Sequence, residues 1–238
     1  MAWRENLRYF HLQMIRSEGQ VRQVTSLSVN VNKLATLRNS RGKNNPDVLK
    51  SCHDIIGFGA HGITVHPRPD ERHIRKSDVY EIAKSISVEF NIEGYPSSEF
   101  IQILHDVRPA QATLVPDPPE VLTSNAGWKV FDQQNLLMKV AKQIKDLGVR
   151  VSVFIDPYNV TLDELKILQD CGVDRIELYT EAYAEAFGTS GQVSVTDVYC
   201  RVAEQAKQYG LGLNAGHDLN RDNLAYLVQR LPYLDEVS

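Results

Sequence analysis

Seven short apolar runs punctuate the chain: Leu27 to Val31, Gly62 to Val65, Ser87 to Ile92, Gln111 to Val115, Val149 to Ile155, Arg175 to Leu178 and Leu211 to Leu213. Each leads into polar or charged residues, and most are followed by a Gly or Pro turn and then by apolar positions at helical spacing. Short apolar runs bounded in this way predict buried parallel strands, and the stretches between them predict crossover helices.

The helices carry readable ends. Asn45-Pro46 predicts an N-cap with proline at the first helical position, and Val48, Leu49, Cys52, Ile55 and Ile56 form a stripe that stops at Gly57 and Gly59. Thr161 with Glu164 reads as a capping box, and Leu162, Leu165 and Leu168 follow before Gly172. A third helix lies between Ser194 and Gly210, with Val198, Val202, Ala203 and Ala206 on one side, and a longer one runs from about Trp128 to Leu147. The repeat of about 30 residues is that of a βα unit. No low-complexity segment or linker interrupts it, so the expected class is α/β and the expected fold one (β/α)8 TIM barrel. Parallel strands bring their carboxyl ends to one face. Asn32, His66, Glu93, Thr123, Asp156, Glu177 with Thr180, and His217 stand at or beyond those ends.

Both ends depart from a full barrel. Residues 1–26 read as an N-terminal extension in which Trp3, Leu7, Phe10 and Met14 are spaced for a short amphipathic helix, with a disordered leader as the alternative, and residues 27–238 read as the barrel domain. The chain stops at Glu236-Val237-Ser238, where an eighth strand would begin, so the expectation is a barrel truncated after its seventh βα unit.

Composition narrows the class without changing it. With 238 residues and 42% hydrophobic content the chain can bury a single core of barrel size. A formal net charge of -4 gives no electrostatic case for a nucleic-acid partner. No apolar run approaches the roughly 18 to 20 residues of a membrane span, and Met1 to Gln23 lacks an apolar signal core, so a cytoplasmic protein is expected. Cys52, Cys171 and Cys200 form no CxxC pair and read as small buried hydrophobes.

Chemistry concentrates in Gly62-Ile-Thr-Val-His-Pro-Arg-Pro-Asp-Glu-Arg-His-Ile74. A strand delivers His66, two prolines stiffen the exit, and Arg68, Arg72 and His73 follow closely. Guanidinium groups bind phosphate or carboxylate in a bidentate manner, so this loop reads as an anion-binding segment.

At this point the sequence resembles the pyridoxine 5′-phosphate synthase family. The resemblance rests on Ser28-Val-Asn-Val-Asn-Lys-Leu-Ala-Thr-Leu-Arg-Asn-Ser-Arg-Gly42, the 62–74 segment, Phe90-Asn-Ile-Glu-Gly94, Thr113-Leu-Val-Pro116, Val151-Ser-Val-Phe-Ile-Asp156, Ile176-Glu-Leu-Tyr-Thr180 and Leu213-Asn-Ala-Gly-His217. These blocks keep their order and spacing from Leu27 to Ser238. The resemblance implies a TIM barrel with additional helices, assembled as a homo-octamer. It implies a condensation of 1-deoxy-D-xylulose 5-phosphate with 3-amino-2-oxopropyl phosphate, giving pyridoxine 5′-phosphate, inorganic phosphate and water with no cofactor and no metal.

Roles follow from the matching positions. The resemblance implies that His66 and Glu93 are proton acceptors, that His217 is a proton donor and that Glu177 stabilises charge in the transition state. Asn30 and Arg41 match the positions that hold the aminoketone phosphate. Asn32, Lys33, Arg68, His73 and Thr123 match those that hold the deoxyxylulose phosphate, and Asp218, after His217, is a further substrate-binding position at a backbone contact to phosphate. Some positions depart from the commonest pattern: Asn32 and Lys33 replace aspartate and histidine, Asp117-Pro118-Pro119 replaces an acidic-basic sequence, and Asp218 stands where glycine is usual. Two other readings use the same residues. A metal-dependent sugar-phosphate epimerase or isomerase would gather His66, Glu93, Glu177 and His217 around a divalent ion. A truncated, inactive barrel would serve only as an assembly subunit.

Overall fold

The computed structural model describes residues 24–116 and 127–238. The extension residues Trp3, Leu7, Phe10 and Met14, together with Asp117-Pro118-Pro119 and Thr123, lie outside the described residues. In chain order the elements are β1 (Ser26–Asn30), α1 (Asn32–Arg41), α2 (Val48–Gly57), β2 (Gly62–Val65), α3 (Lys76–Ser85), β3 (Glu89–Gly94), α4 (Ser98–Val107), β4 (Gln111–Leu114) and α5 (Val130–Asp146). There follow β5 (Arg150–Ile155), α6 (Leu162–Asp170), β6 (Arg175–Tyr179), α7 (Glu181–Ala186), α8 (Gln192–Gln208), β7 (Gly212–Gly216), α9 (Leu224–Arg230) and β8 (Leu234–Val237). All eight strands are parallel and close in sequence order into a barrel.

The eighth strand corrects the expected truncation. Leu234–Val237 pairs with β7 on one side and β1 on the other, with Leu27 opposite Val237, so no strand edge is left open. It is only four residues long and half of it is charged, which leaves no apolar run to read. The cap of α2 is a second correction. The helix begins at Val48, and Asp47 rather than Asn45 caps it, its carboxylate accepting from the Lys50 N–H at 2.9 Å. The capping box at Thr161 and Glu164 forms as predicted.

Each strand has two unlike faces, because side chains alternate along it. The outward residues Ile63, Val65, Phe90, Ile92, Leu114, Val151, Val153, Ile176 and Leu178 are buried under the helices and carry the hydrophobic core. Each such side chain contributes about 1.5–3 kcal/mol by leaving water. The intervening residues turn into the barrel. Contacts that skip a strand prove it: Asn30 on β1 reaches Glu93 on β3, Thr113 on β4 reaches Glu177 on β6, and Gln111 on β4 reaches Glu236 on β8. The lumen is therefore polar where barrels of this kind are usually filled by branched apolar residues. Cys52 and Cys171 are buried among the helices, and burial pushes the Cys52 thiol up to about 12, which leaves it unreactive.

Candidate active site

The carboxyl ends of β1, β2, β3 and β7 bring Asn30, His66, Glu93 and His217 to one mouth. Asn32 opens α1 and acts as a spacer: its N–H donates to Asn30 Oδ1 at 2.9 Å and its own Oδ1 accepts from the His66 N–H at 2.9 Å. That ties the exits of β1 and β2 together. His66 Nδ1 then lies 4.0 Å from Glu93 Oε2, the outer limit of an ion pair. Burial, with Arg68, His73, His217 and Arg72 adding positive charge, lowers His66 to about 3. Burial, with the Glu236 carboxyl behind it and partly offset by Arg68, raises Glu93 to about 8. At neutral pH the pair is therefore an unprotonated imidazole beside a largely protonated carboxyl, and its proton rests on Glu93. One partner can accept a proton and the other can give one, which is the requirement for stepwise acid-base chemistry.

His217 follows β7 in a left-handed conformation, φ 84°, and Asp218 after it has φ 56°. Non-glycine residues adopt this region rarely, so the glycine usual at position 218 has a backbone reason. Here the turn is fixed from outside. Thr180 donates toward the backbone of Gly216 and His217, and Asn223 Nδ2 donates to Asp218 O at 3.1 Å. The His217 ring packs at 4.8 Å from Phe154 and at 5.1 Å, edge-on, from Tyr179.

The loop after β2 is held by α1. Buried Arg38 bonds Asp78 at 2.5 Å and donates to His73 O at 3.1 Å, while Asn39 donates to His73 O at 2.8 Å. Asp78 also caps α3 by accepting from the Arg75 N–H. The clamp sets the His73 ring 6.0 Å from that of His66, with buried Arg68 in the same loop. Burial, with Arg68 and Arg72 nearby, lowers His73 to about 4. A neutral imidazole and a buried guanidinium on a rigid loop suit an oxyanion of phosphate.

Glu177 stands deeper than its sequence position suggests. It is the third of five residues in β6, inside the lumen and 1% exposed, rather than at a strand end. No arginine pairs with it among the described residues. Below it a floor of charge closes the barrel: Glu236 accepts from Arg175 at 3.2 Å and from Gln111 at 3.4 Å, and Arg150 donates to Gln111 at 2.8 Å.

The comparisons with known proteins fit this geometry. A family model described as pyridoxal phosphate biosynthesis protein PdxJ matches residues 27–238. The chain belongs to that family. It is 54% identical to the pyridoxine 5′-phosphate synthase of Porphyromonas gingivalis over 90% of this chain and 89% of that protein. Identity to the enzyme of the same description from Cytophaga hutchinsonii is 50%, with the same coverage of both chains. Among solved structures, deoxyribose phosphate aldolase from Aeropyrum pernix shares the fold at 13% identity, with a TM-score of 0.57 over 91% of this chain and 85% of that one. Phosphoribosylanthranilate isomerase from Thermotoga maritima does so at 10% identity and a TM-score of 0.54, covering 90% and 86%.

Within this PdxJ-family barrel the predicted residues other than Glu177 and Asp218 separate into three groups. His66, Glu93, His73, Arg68 and His217 converge, with Asn30 and Asn32 bonded to them. Lys33 is exposed in the first turn of α1, and Arg41 is exposed in its last turn, just beyond Arg38 and Asn39, which hold the His73 loop. Thr123 lies outside the described residues. His66, Glu93, Glu177 and His217 do not form a metal-ligand group, and no three His, Cys, Asp or Glu side chains do so among the described residues. Sequence reasoning missed Arg38, Thr113, Arg175 and Glu236. For Thr113 the signal was present, as polar residues alternating with apolar ones along β4; Arg38 lies on α1, and the meaning of Arg175 and Glu236 depends on a contact between β6 and β8.

Proposed function

We propose that this mouth condenses 1-deoxy-D-xylulose 5-phosphate with 3-amino-2-oxopropyl phosphate. The activity is that of a pyridoxine 5′-phosphate synthase, the activity for which the relatives are named. The observation that supports the residue assignment is the His66–Glu93 pair, in which one buried group is poised to accept a proton and the other to release one. Ring closure between an aminoketone and a deoxyketose removes protons from carbon and delivers protons to departing oxygens. His66 and, once ionised, Glu93 take them, and His217 on the facing strand returns one to a leaving hydroxyl or phosphate. Glu177 stabilises the charge that develops. Arg68, His73, Asn32, Lys33 and Thr123 hold the deoxyxylulose phosphate. Asn30 holds the aminoketone at the floor of the mouth. Arg41, at the end of α1, holds that substrate's phosphate, and Asp218 sets the turn against which a phosphate rests.

The reaction needs no metal, no organic cofactor and no nucleic acid in this reading. A homo-octamer in the cytoplasm is the proposed assembly and location, and among the described residues no helix is long and apolar enough to cross a membrane. The test is release of inorganic phosphate, with mass detection of pyridoxine 5′-phosphate, from chelator-treated protein given both substrates. Product is expected with both and with neither alone. Turnover that disappears on chelation and returns with one divalent metal would favour the epimerase chemistry instead.

A further inference from the structure

A chain of hydrogen bonds runs round the lumen beneath the mouth and ends on Glu177. Ser28 Oγ and Thr64 Oγ1 are 2.7 Å apart, Asn91 Nδ2 donates to Thr64 Oγ1 at 3.4 Å, and Thr113 Oγ1 donates to Asn91 Oδ1 at 3.1 Å. Thr113 Oγ1 is also 3.4 Å from Glu177 Oε2. A hydroxyl has one hydrogen but two acceptor sites. With that hydrogen on Asn91, Thr113 can only accept from Glu177, and the carboxyl must carry the proton.

The surroundings of Glu177 demand the same. Glu93 on β3 and Glu236 on β8 face it, and no cation does among the described residues. On β7 the backbone of Gly216 presses against the other oxygen, where a methyl group would meet Oε1 at 2.7 Å. Arg175 and Arg150 are directed to Glu236. An ionised Glu177 would be a buried charge with a single neutral partner, an arrangement that proteins avoid by keeping the group protonated.

We propose that Thr113 is a positioning residue for the synthase reaction: its hydrogen, turned to Asn91, holds Glu177 as a neutral acid in the resting site, and turns to the Glu177 carboxylate once that proton has passed to the substrate oxygen on which negative charge develops. Both acceptors lie within hydrogen-bond reach of one hydroxyl rotor, so the change of charge needs no movement of a heavy atom. This rests on the synthase reading for its use, but not for the resting state it describes.

Infrared difference spectra of the ligand-free full chain, wild type minus Glu177→Gln at neutral pH, should show loss of a carboxylic-acid carbonyl band that shifts in D2O. Loss of an ionised carboxylate band overturns the proposal. Thr113→Val, of nearly equal volume, should displace the acid band and lower kcat by about tenfold while KM stays within about twofold. Thr113→Ser should restore both. A valine variant with the wild-type band and kcat, or a serine variant that fails to recover what valine lost, overturns it as well. The Glu177→Gln spectrum decides the resting state even where valine at 113 prevents folding. A wild type that yields no pyridoxine 5′-phosphate but shows the band would sink the synthase reading and leave this one standing.

Discussion

Ile92 and Glu93 are neighbours on β3, and both are buried, yet they belong to different molecules in a physical sense. Ile92 faces the helices in a layer where the requirement is volume and apolarity. Glu93 faces a lumen in which almost every polar atom is matched to a particular partner on another strand. Among the described residues only Ser152 Oγ and Asn214 Nδ2 are buried there without one. The outer layer holds the barrel together by area, which is non-directional and tolerant of exchange. The inner one holds its groups by direction, and so it can set their charge states.

Exchanging the pair separates the two roles most sharply. Glu93→Gln should lower kcat by about 10²- to 10⁴-fold, the usual contribution of a positioned base, with substrate KM and the far-ultraviolet circular dichroism nearly unchanged. Ile92→Ala should reduce unfolding free energy by about 2–5 kcal/mol, since a fully buried isoleucine leaves a cavity, while kcat of the folded fraction stays within about twofold. Equal losses of binding and turnover in the glutamine variant would contradict a base at position 93.

The floor of the lumen tests whether direction also contributes to stability. Arg175→Met leaves Glu236 with Arg150 at 3.9 Å as its remaining guanidinium, and urea unfolding should register a loss of about 3 kcal/mol. Adding Glu236→Gln removes the uncompensated charge and should return more than half of that loss. If the second change deepens the defect instead, the lumen is held by packing like the outer layer.

The outer face was legible in the sequence and the inner one only by halves. Apolar runs at seven strands, the Thr161–Glu164 box and the glycine stops follow from local rules that need no knowledge of the partner. The mouth residues were legible because they follow strands and match a family pattern. Glu236 and Arg175 were not, since their meaning depends on β8 closing against β1 and on a contact across the lumen between residues 61 apart.

A smaller effect separates the faces by pH. Glu93 is raised from 4.5 to about 8, so its protonated form stabilises the fold fully below about pH 4.5, and that contribution is lost as pH rises toward 8. His66 is lowered from 6.5 to about 3, so its contribution is complete above about 6.5 and is lost as pH falls toward 3. Between pH 6.5 and 8 the carboxyl alone of this pair changes. The wild-type Tm should fall across that interval, and Glu93→Gln should make the decline shallower, whereas Ile92→Ala should lower the curve without altering its slope. Parallel wild-type and glutamine curves would place the proton elsewhere.

The smallest change is on the outside and supplies the control. Thr161→Ala removes the hydroxyl that accepts from the Glu164 N–H at 3.3 Å and touches Glu164 Oε2 at 3.0 Å, opening the first turn of α6. A lost cap of this kind costs about 1 kcal/mol, and it should shift Tm by the same amount at every pH between 6.5 and 8. Thr161 lies on the loop between β5 and α6, whose other capping group is Glu164 itself, so the lumen is untouched and kcat should not move. A Tm shift that varied with pH in that interval would mean that outer helices set the charge of inner carboxyls, and the two faces of the wall would no longer be separable.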